Sequence, residues 1–180
     1  MLRTSLIKTQ RWLLPLLALS LAGCGLTQSV SDGTKSAFTS VFYKKIKVLH
    51  LDFTAREELN TDARENHSFS APVLLRIYQL KDNKTFDKMV YQQLLKDGES
   101  LLGADLLASR DVVLKPGGDV SLDMPMEADT RFVAVVGLFR DPDSEKETWK
   151  LTLDREALDP DKPRVIEAGK NRLTLIPVKE

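Results

Sequence analysis

"RFVAVVGLFR", residues 131–140, is the most apolar stretch of this 180-residue chain outside its N-terminus. Two arginines bound it, and the residues between them are rich in valine. A short apolar run of this kind predicts a strand that is buried on both faces. The stretch therefore indicates the central strand of a two-layer β fold.

Further strand-like segments surround this run. They are rich in branched or aromatic residues and lie at 45–55, 71–80, 109–115, 119–124, 148–154 and 171–178. In the first, the apolar alternation changes phase at Val48 and Leu49, which predicts a β-bulge or a strand covered on both faces. The turn Pro116-Gly117-Gly118 predicts a hairpin between its two neighbours. Pro177 predicts that the last strand lies at a sheet edge.

One segment has helical rather than strand periodicity. Its apolar residues are Phe86, Met89, Val90 and Leu94, with Thr85 as the expected N-cap and Gly98 as the stop signal. We interpret this apolar face as core rather than as a cofactor slot. About seven strands with one helix between the second and third predict a mainly β protein, an antiparallel β-sandwich with a small helical insertion.

The N-terminus has the pattern of an export signal. Three basic residues precede a 12-residue apolar stretch, Trp12 to Gly23, whereas a transmembrane helix needs about 20 apolar residues. Leu21-Ala22-Gly23-Cys24 resembles the bacterial lipobox, which implies that Cys24, the single cysteine, is acylated. In many Gram-negative lipoproteins, an aspartate directly after the acylated cysteine signals retention in the inner membrane. This chain has Gly25 at that position, so the resemblance implies the outer membrane. We expect residues 1–23 to be the signal peptide, 24–40 the acylated cysteine and a Ser/Thr/Gly-rich tether, and 41–180 the sandwich domain.

Composition limits the classes of function. After removal of residues 1–23, the chain has 157 residues with 23 basic and 26 acidic side chains, a net charge of −3. One domain of this size is the default. The near-neutral balance argues against nucleic-acid binding, and we interpret the short cluster Lys44-Lys45-Ile46-Lys47 as a solvated edge.

Candidate catalytic and metal-binding patterns are weak. The chain has two histidines, His50 in a predicted strand and His67 in a polar loop, and neither belongs to a nucleophile or zinc motif. The acidic turns at 140–147 and 158–163 lack the glycine and distal glutamate of an EF-hand. We therefore expect no enzyme, cofactor, metal or small-molecule substrate.

The loop between the first two predicted strands, residues 56–69, is long for a sandwich connection and carries charges of both signs. Long loops in compact domains are usually functional or disordered. The candidate partner-binding residues are Arg56, Glu57, Glu58, Leu59, Asn60, Asp62, Arg64, Glu65, His67 and Phe69. The apolar members Leu59 and Phe69 are candidate hot spots.

The segments together resemble the TssJ (SciN) family of type VI secretion outer-membrane lipoproteins. The resemblance rests on Arg76-Ile77-Tyr78-Gln79-Leu80, Leu102-Gly103-Ala104-Asp105-Leu106, Pro116-Gly117 and Phe139-Arg140-Asp141-Pro142. It implies a transthyretin-like sandwich on the periplasmic face of the outer membrane, held there by N-terminal acyl chains. It also implies that the loop at 56–69 binds the periplasmic C-terminal region of TssM and so links the outer and inner membranes.

Two other functions remain open at this stage. One is an envelope carrier of a lipid or another apolar ligand, which requires a large open apolar cavity. The other is a pilot lipoprotein for a secretin, which gene neighbours would distinguish.

Overall fold

The computed structural model describes residues 46–62, 64 and 69–178. The predicted signal peptide, Cys24 and the tether to residue 40 lie outside these residues. Within the described part of the chain, no helix is long and apolar enough to cross a bilayer.

In the described residues, eight strands form two four-stranded sheets, which confirms the predicted sandwich. Their bounds are β1 Val48–Leu59, β2 Val73–Leu80, β3 Leu106–Leu114, β4 Asp119–Pro125, β5 Phe132–Leu138, β6 Lys150–Asp154, β7 Arg164–Lys170 and β8 Arg172–Leu175. The strand order is β4-β1-β7-β8 in the first sheet and β3-β2-β5-β6 in the second. The inner faces of both sheets supply one apolar core.

Strand β5 lies inside the second sheet, as its apolar sequence predicts. It pairs antiparallel with β2 and β6, so Val135 lies opposite both Ile77 and Leu151. Residues 133–136 are fully buried on both faces. One face lies against the first sheet, while helices cover the other, and this double cover is why the run carries no alternating polar residues.

The predicted hairpin around Pro116-Gly117-Gly118 is wrong. Strand β3 pairs with β2, whereas β4 pairs with β1, so this turn carries the chain from one sheet to the other. Gly117 has a left-handed φ of 65°. This backbone conformation is why the turn needs glycine, whereas the Glu57 carboxylate, 2.5 Å from where a Cβ would lie, is the end of a flexible side chain and could move aside.

Strand β1 has no bulge at the phase change. It pairs with β4 in unbroken register from Val48 to Thr54, and Ile46 is buried just before the strand begins. The real irregularity lies later, between Ala55 and Leu59, where β1 pairs with β7. The pairing of β1 with β7 is parallel, whereas the sequence predicted an antiparallel sandwich, so the first sheet is mixed.

The helical insertion lies between β2 and β3 as predicted, but it contains two helices, α1 Lys84–Lys88 and α2 Tyr91–Leu102. The break has a tertiary cause, because Lys150 Nζ of β6 donates to the carbonyls of Asp87 and Met89, each at 3.1 Å. The single predicted helix is therefore wrong, together with its boundaries.

Other details of the predicted helix also differ. Thr85 lies inside α1, where its hydroxyl donates to Asp105 rather than capping the helix. Gly98 lies within α2, directly after a kink at Asp97, whose φ of −134° is not helical, so the first part of this helix does end beside the predicted stop signal. Val90 is 55% exposed instead of buried. Phe86, Met89 and Leu94 do belong to the core.

Candidate functional site

The candidate loop lies at one end of the sandwich, which we call the distal pole. Strand β1 runs from Val48 to Leu59, so residues 60–72, the β1–β2 loop, follow its far end. The described chain begins at Ile46, beside the near end of β1. The sandwich therefore separates the start of the described chain from the candidate loop by the full length of β1.

Strand β1 extends further into the predicted loop than the sequence indicated. Arg56, Glu57 and Glu58 are strand residues, and Leu59 is fully buried. Leu59 as an exposed hot spot is therefore wrong, because it completes the core at the end of β1. Phe69 fits that description, since it is 79% exposed.

Asn60 fixes the start of the loop. It is 4% exposed and has a left-handed φ of 51°, a conformation that asparagine tolerates better than most residues. Its Nδ2 donates to the carbonyl of Pro72 at 2.8 Å, which ties the two ends of the loop together. Its backbone N–H donates to the carbonyl of Lys170 at 2.6 Å. Asn60 is thus structural, although the sequence suggested a partner contact.

Arg140, directly after β5, joins both ends of the loop. Its backbone N–H donates to Asn60 Oδ1 at 2.7 Å, and its Nε donates to the Asn60 carbonyl at 3.1 Å. Its Nη2 donates to the carbonyl of Phe69 at 3.2 Å. A planar guanidinium can satisfy several acceptors in fixed directions. Arg140 therefore sets the positions of the two flanks of the loop.

Asp62 and Arg64 form a local ion pair on the loop. Arg64 donates from Nε to Oδ1 at 2.9 Å and from Nη2 to Oδ2 at 2.8 Å, and its backbone N–H also reaches Oδ1. These hydrogen bonds from Arg64 lower the pKa of the Asp62 carboxyl to about 2. The carboxylate is therefore ionised throughout the physiological range and orders this turn.

A polar groove of about 290 Å³ lies beside the loop on the open face of the first sheet. It is lined by Arg56, Glu58, Glu167, Gly169, Lys170, Arg172 and Thr174. Arg56 Nε pairs with Glu167 at 2.8 Å. A Cβ at Gly169 would lie 2.8 Å from Arg56 Cδ, so the glycine leaves room for that side chain to cross β7. The loop and the groove form one continuous surface, since Asn171 Nδ2 donates to the Thr61 carbonyl.

The predicted partner-binding residues thus take different places. Arg56 and Glu58 line the groove, Asp62 and Arg64 pair on the loop, Glu57 packs on the β3–β4 turn, and Leu59 and Asn60 are buried. Glu65 and His67 lie outside the described residues. Sequence reasoning missed Arg140 as a site residue. Its signal was the segment Phe139-Arg140-Asp141-Pro142, but no local pattern connects that segment with a loop 80 residues earlier.

The other candidate chemistries have structural explanations. In the acidic turns, Asp143 accepts from the backbone N–H groups of Glu145 and Lys146, and Asp159 does the same for Asp161 and Lys162. The described residues contain no cluster of three or more histidine, cysteine or acidic side chains able to hold a metal. His50 is half-buried on the open face of the first sheet, as predicted, and pairs with Asp123.

An apolar groove of about 480 Å³ lies near the opposite pole, and we tested it as the cavity that a lipid carrier requires. Its apolar lining residues are Ala157, Leu158, Pro163, Val165, Ile176, Pro177 and Val178. The groove is a surface feature, whereas the space between the sheets is filled by core side chains. The described residues therefore give the carrier function little support.

Comparisons with known proteins agree with these features. The profile of the T6SS-SciN family, described as type VI secretion lipoprotein (VasD, EvfM, TssJ), matches residues 47–174. A solved structure named "T6SS protein TssM C-terminal domain (869-1107) from EAEC" contains a chain 46% identical to this one, with a TM-score of 0.67. The match covers 74% of this chain and 100% of that chain. A chain of a structure named "Type VI membrane complex" matches at the same identity and coverage, with a TM-score of 0.69.

More distant structures share the fold. Serratia marcescens Lip, named as a membrane-bound component of the type VI secretion system, is 23% identical over 73% of this chain and 98% of that chain, with a TM-score of 0.64. The T6SS lipoprotein TssJ1 from Pseudomonas aeruginosa is 24% identical over 75% and 100%, with a TM-score of 0.60. A comparison with curated sequences gave no significant match. The family profile spans most of the folded domain, so this chain belongs to the T6SS-SciN (TssJ) family of type VI secretion lipoproteins.

Proposed function

We propose that this lipoprotein is a scaffold of a type VI secretion membrane complex that binds the periplasmic C-terminal region of TssM through its distal pole. Two structures with 46% identical chains carry the names of the TssM C-terminal domain and the type VI membrane complex. The protein contributes position and affinity, and its proposed role contains no catalytic step.

The observation that carries the proposal is the placement of the β1–β2 loop. It lies at the pole opposite the start of the described chain, where an N-terminal anchor would attach. A domain tethered near Ile46 thus presents the loop away from its attachment. Acylation of Cys24 would hold residues 41–180 at the outer membrane through the tether of residues 24–40, after removal of residues 1–23.

The composition of the distal pole suits a polar protein interface. Phe69 is a large exposed aromatic side chain, and the same pole carries charged residues of both signs, with Asp62 and Arg64 on the loop and Arg56, Glu58, Glu167, Lys170 and Arg172 in the groove. Protein interfaces commonly place an aromatic anchor within a polar rim. Positive and negative side chains are balanced on this surface, so specificity would come from geometry rather than from net charge.

Isothermal titration of the mature protein with the TssM C-terminal region tests the proposal. Phe69→Ala should weaken binding by about 30-fold or more, as expected for an aromatic hot spot of about 2 kcal/mol. Val113→Ala is the matched control, because Val113 is also exposed but lies on the edge strand β3. A wild-type protein that does not bind would refute the partner. Unchanged affinity of Phe69→Ala would refute Phe69 as the anchor.

A further inference from the structure

Arg140 makes long-range contacts that no neighbouring residue duplicates within the described part of the chain. It reaches Asn60 through its backbone and its side chain, across a separation of 80 residues, and Phe69 across 71 residues. These two acceptors flank the central part of the loop. The Arg140 side chain therefore joins the two flanks, in addition to the hydrogen bonds that Leu59 and Asn60 make to residues 70–72.

The conformation of the loop base depends on these contacts. Asn60 has a left-handed backbone, which a non-glycine residue keeps only where surrounding contacts hold it. Residue 140 supplies two of those contacts, one from its backbone N–H and one from its guanidinium, and the guanidinium also fixes the carbonyl of the exposed Phe69. Without the Arg140 side chain, the backbone N–H would still hold Asn60 Oδ1, and the segment from Phe69 to Pro72 would be held mainly by Asn60 Nδ2 and by the hydrogen bonds between Leu59 and residues 70–71.

We infer that Arg140 is a positioning residue for partner binding: by fixing Asn60 and Phe69, it sets the fraction of molecules whose loop is ready to bind. This inference rests on the proposed function of the loop. The apparent dissociation constant of a protein rises as its binding-competent fraction falls. Arg140 therefore affects the affinity for the partner indirectly, through the positions of Asn60 and Phe69 at the two flanks of the loop.

The chain offers a matched control at the opposite pole. Arg155 also donates its guanidinium to backbone carbonyls, with Nη1 reaching Glu127, Ala128 and Thr130 and Nη2 reaching Ile46. Its chemistry is that of Arg140, but its acceptors lie away from the loop. Arg155→Ala thus reports the effect of losing an arginine–carbonyl cluster in general.

The experiment compares Arg140→Ala, Arg140→Lys and Arg155→Ala in the mature protein. Titration calorimetry measures affinity for the TssM C-terminal region, and hydrogen exchange measures protection of residues 59–62 and 69–72, which form the two flanks of the loop. We expect Arg140→Ala to bind about 10- to 100-fold more weakly and to lose protection in these segments. Arg140→Lys, which keeps the charge and one donor nitrogen, should recover part of both. Arg155→Ala should leave both unchanged.

Several outcomes would overturn the inference. Unchanged loop protection in Arg140→Ala would do so even if the partner proves wrong, because exchange is measured without TssM. If Arg140→Ala loses hydrogen-exchange protection in the loop but keeps its affinity for TssM, the conformation that Arg140 holds is not needed for binding. An equal loss of affinity in Arg155→Ala would show a general loss of stability instead. If Arg140→Ala does not fold, Arg140→Lys decides through the same two measurements.

Discussion

Gly98 and Tyr78 provide a quantitative test of how the helical insertion packs on the second sheet. Tyr78 is fully buried beneath α2, and its hydroxyl lies near the Arg76 guanidinium but makes no hydrogen bond of normal geometry with the described residues. A Cβ at Gly98 would lie 2.5 Å from that hydroxyl oxygen, whereas the next nearest atoms, on Leu94 and the tyrosine ring, lie at 3.4 and 3.5 Å. The clash of Gly98→Ala is therefore with one atom of a rigid side chain.

Two opposing terms determine the effect of Gly98→Ala on the free energy of unfolding. Alanine in a helix gains about 1 kcal/mol over glycine, and overpacking a buried site costs about 1 to 3 kcal/mol. We expect a net loss of roughly 1 kcal/mol. Tyr78→Phe alone removes a buried hydroxyl that makes no hydrogen bond of normal geometry, so it should change the free energy of unfolding by less than about 1 kcal/mol. In the Tyr78→Phe background the clashing atom is gone, so Gly98→Ala should no longer destabilise.

Urea unfolding of the wild type, both single variants and the double variant completes the cycle. The coupling free energy should be about 1 to 3 kcal/mol, because helix propensity cancels between the two backgrounds. Additive effects of the two substitutions would refute the contact between Gly98 and the hydroxyl. Stabilisation by Gly98→Ala in the wild-type background would refute the overpacking argument.

Three further predictions address the loop, the core and the anchor. The carboxyl of Asp62 should titrate by NMR with a midpoint near its folded pKa of about 2, below the ordinary value. Its contribution to stability is therefore present above about pH 4 and is lost as the pH falls through about 2. Arg64→Gln should return the midpoint toward the usual range. Gly137→Ala would drive a Cβ into the Phe139 ring inside the core, and urea unfolding should show a loss of about 2 kcal/mol or more; unchanged stability would contradict this packing. Cys24→Ser should move the protein from the outer-membrane fraction to the soluble periplasmic fraction on cell fractionation, and continued sedimentation with membranes would contradict the proposed anchor.

The central part of the fold was predictable from local hydrophobic patterns. Strands β2 and β5 are buried on both faces, and their sequences carry nearly unbroken apolar runs. The helical insertion between β2 and β3 was also predictable, because its apolar residues recur at helical spacing. These features depend on neighbouring residues, which is the information that periodicity contains.

The predictions of strand pairing and helix boundaries failed where residues distant in the sequence determine the structure. A Pro-Gly-Gly turn encodes a reversal but not the partner of each strand, so the sheet change between β3 and β4 was missed. The helix break depends on Lys150, some 60 residues downstream of α1. Strand β7, with three charges and a glycine in seven residues, has no clear alternation and pairs parallel with β1.

The candidate site shows the same division. Loop length and charge located the β1–β2 loop, and the exposure of Phe69 agrees with that prediction. The burial of Leu59 depends on how far β1 continues, and the role of Arg140 depends on the end of β5 reaching the loop. Neither property is visible in residues 56–69 alone.

The course of β1 has a mechanical consequence. The strand starts beside Ile46 and ends at the loop, so tension between an anchored N-terminus and a bound partner would run along its roughly 40 Å length. Because both points of attachment lie on this one strand, its covalent backbone carries the tension, and the hydrogen bonds to β4 and β7, which lie across that direction, bear little of the load. This domain is therefore built to resist extension along the axis that joins membrane to partner.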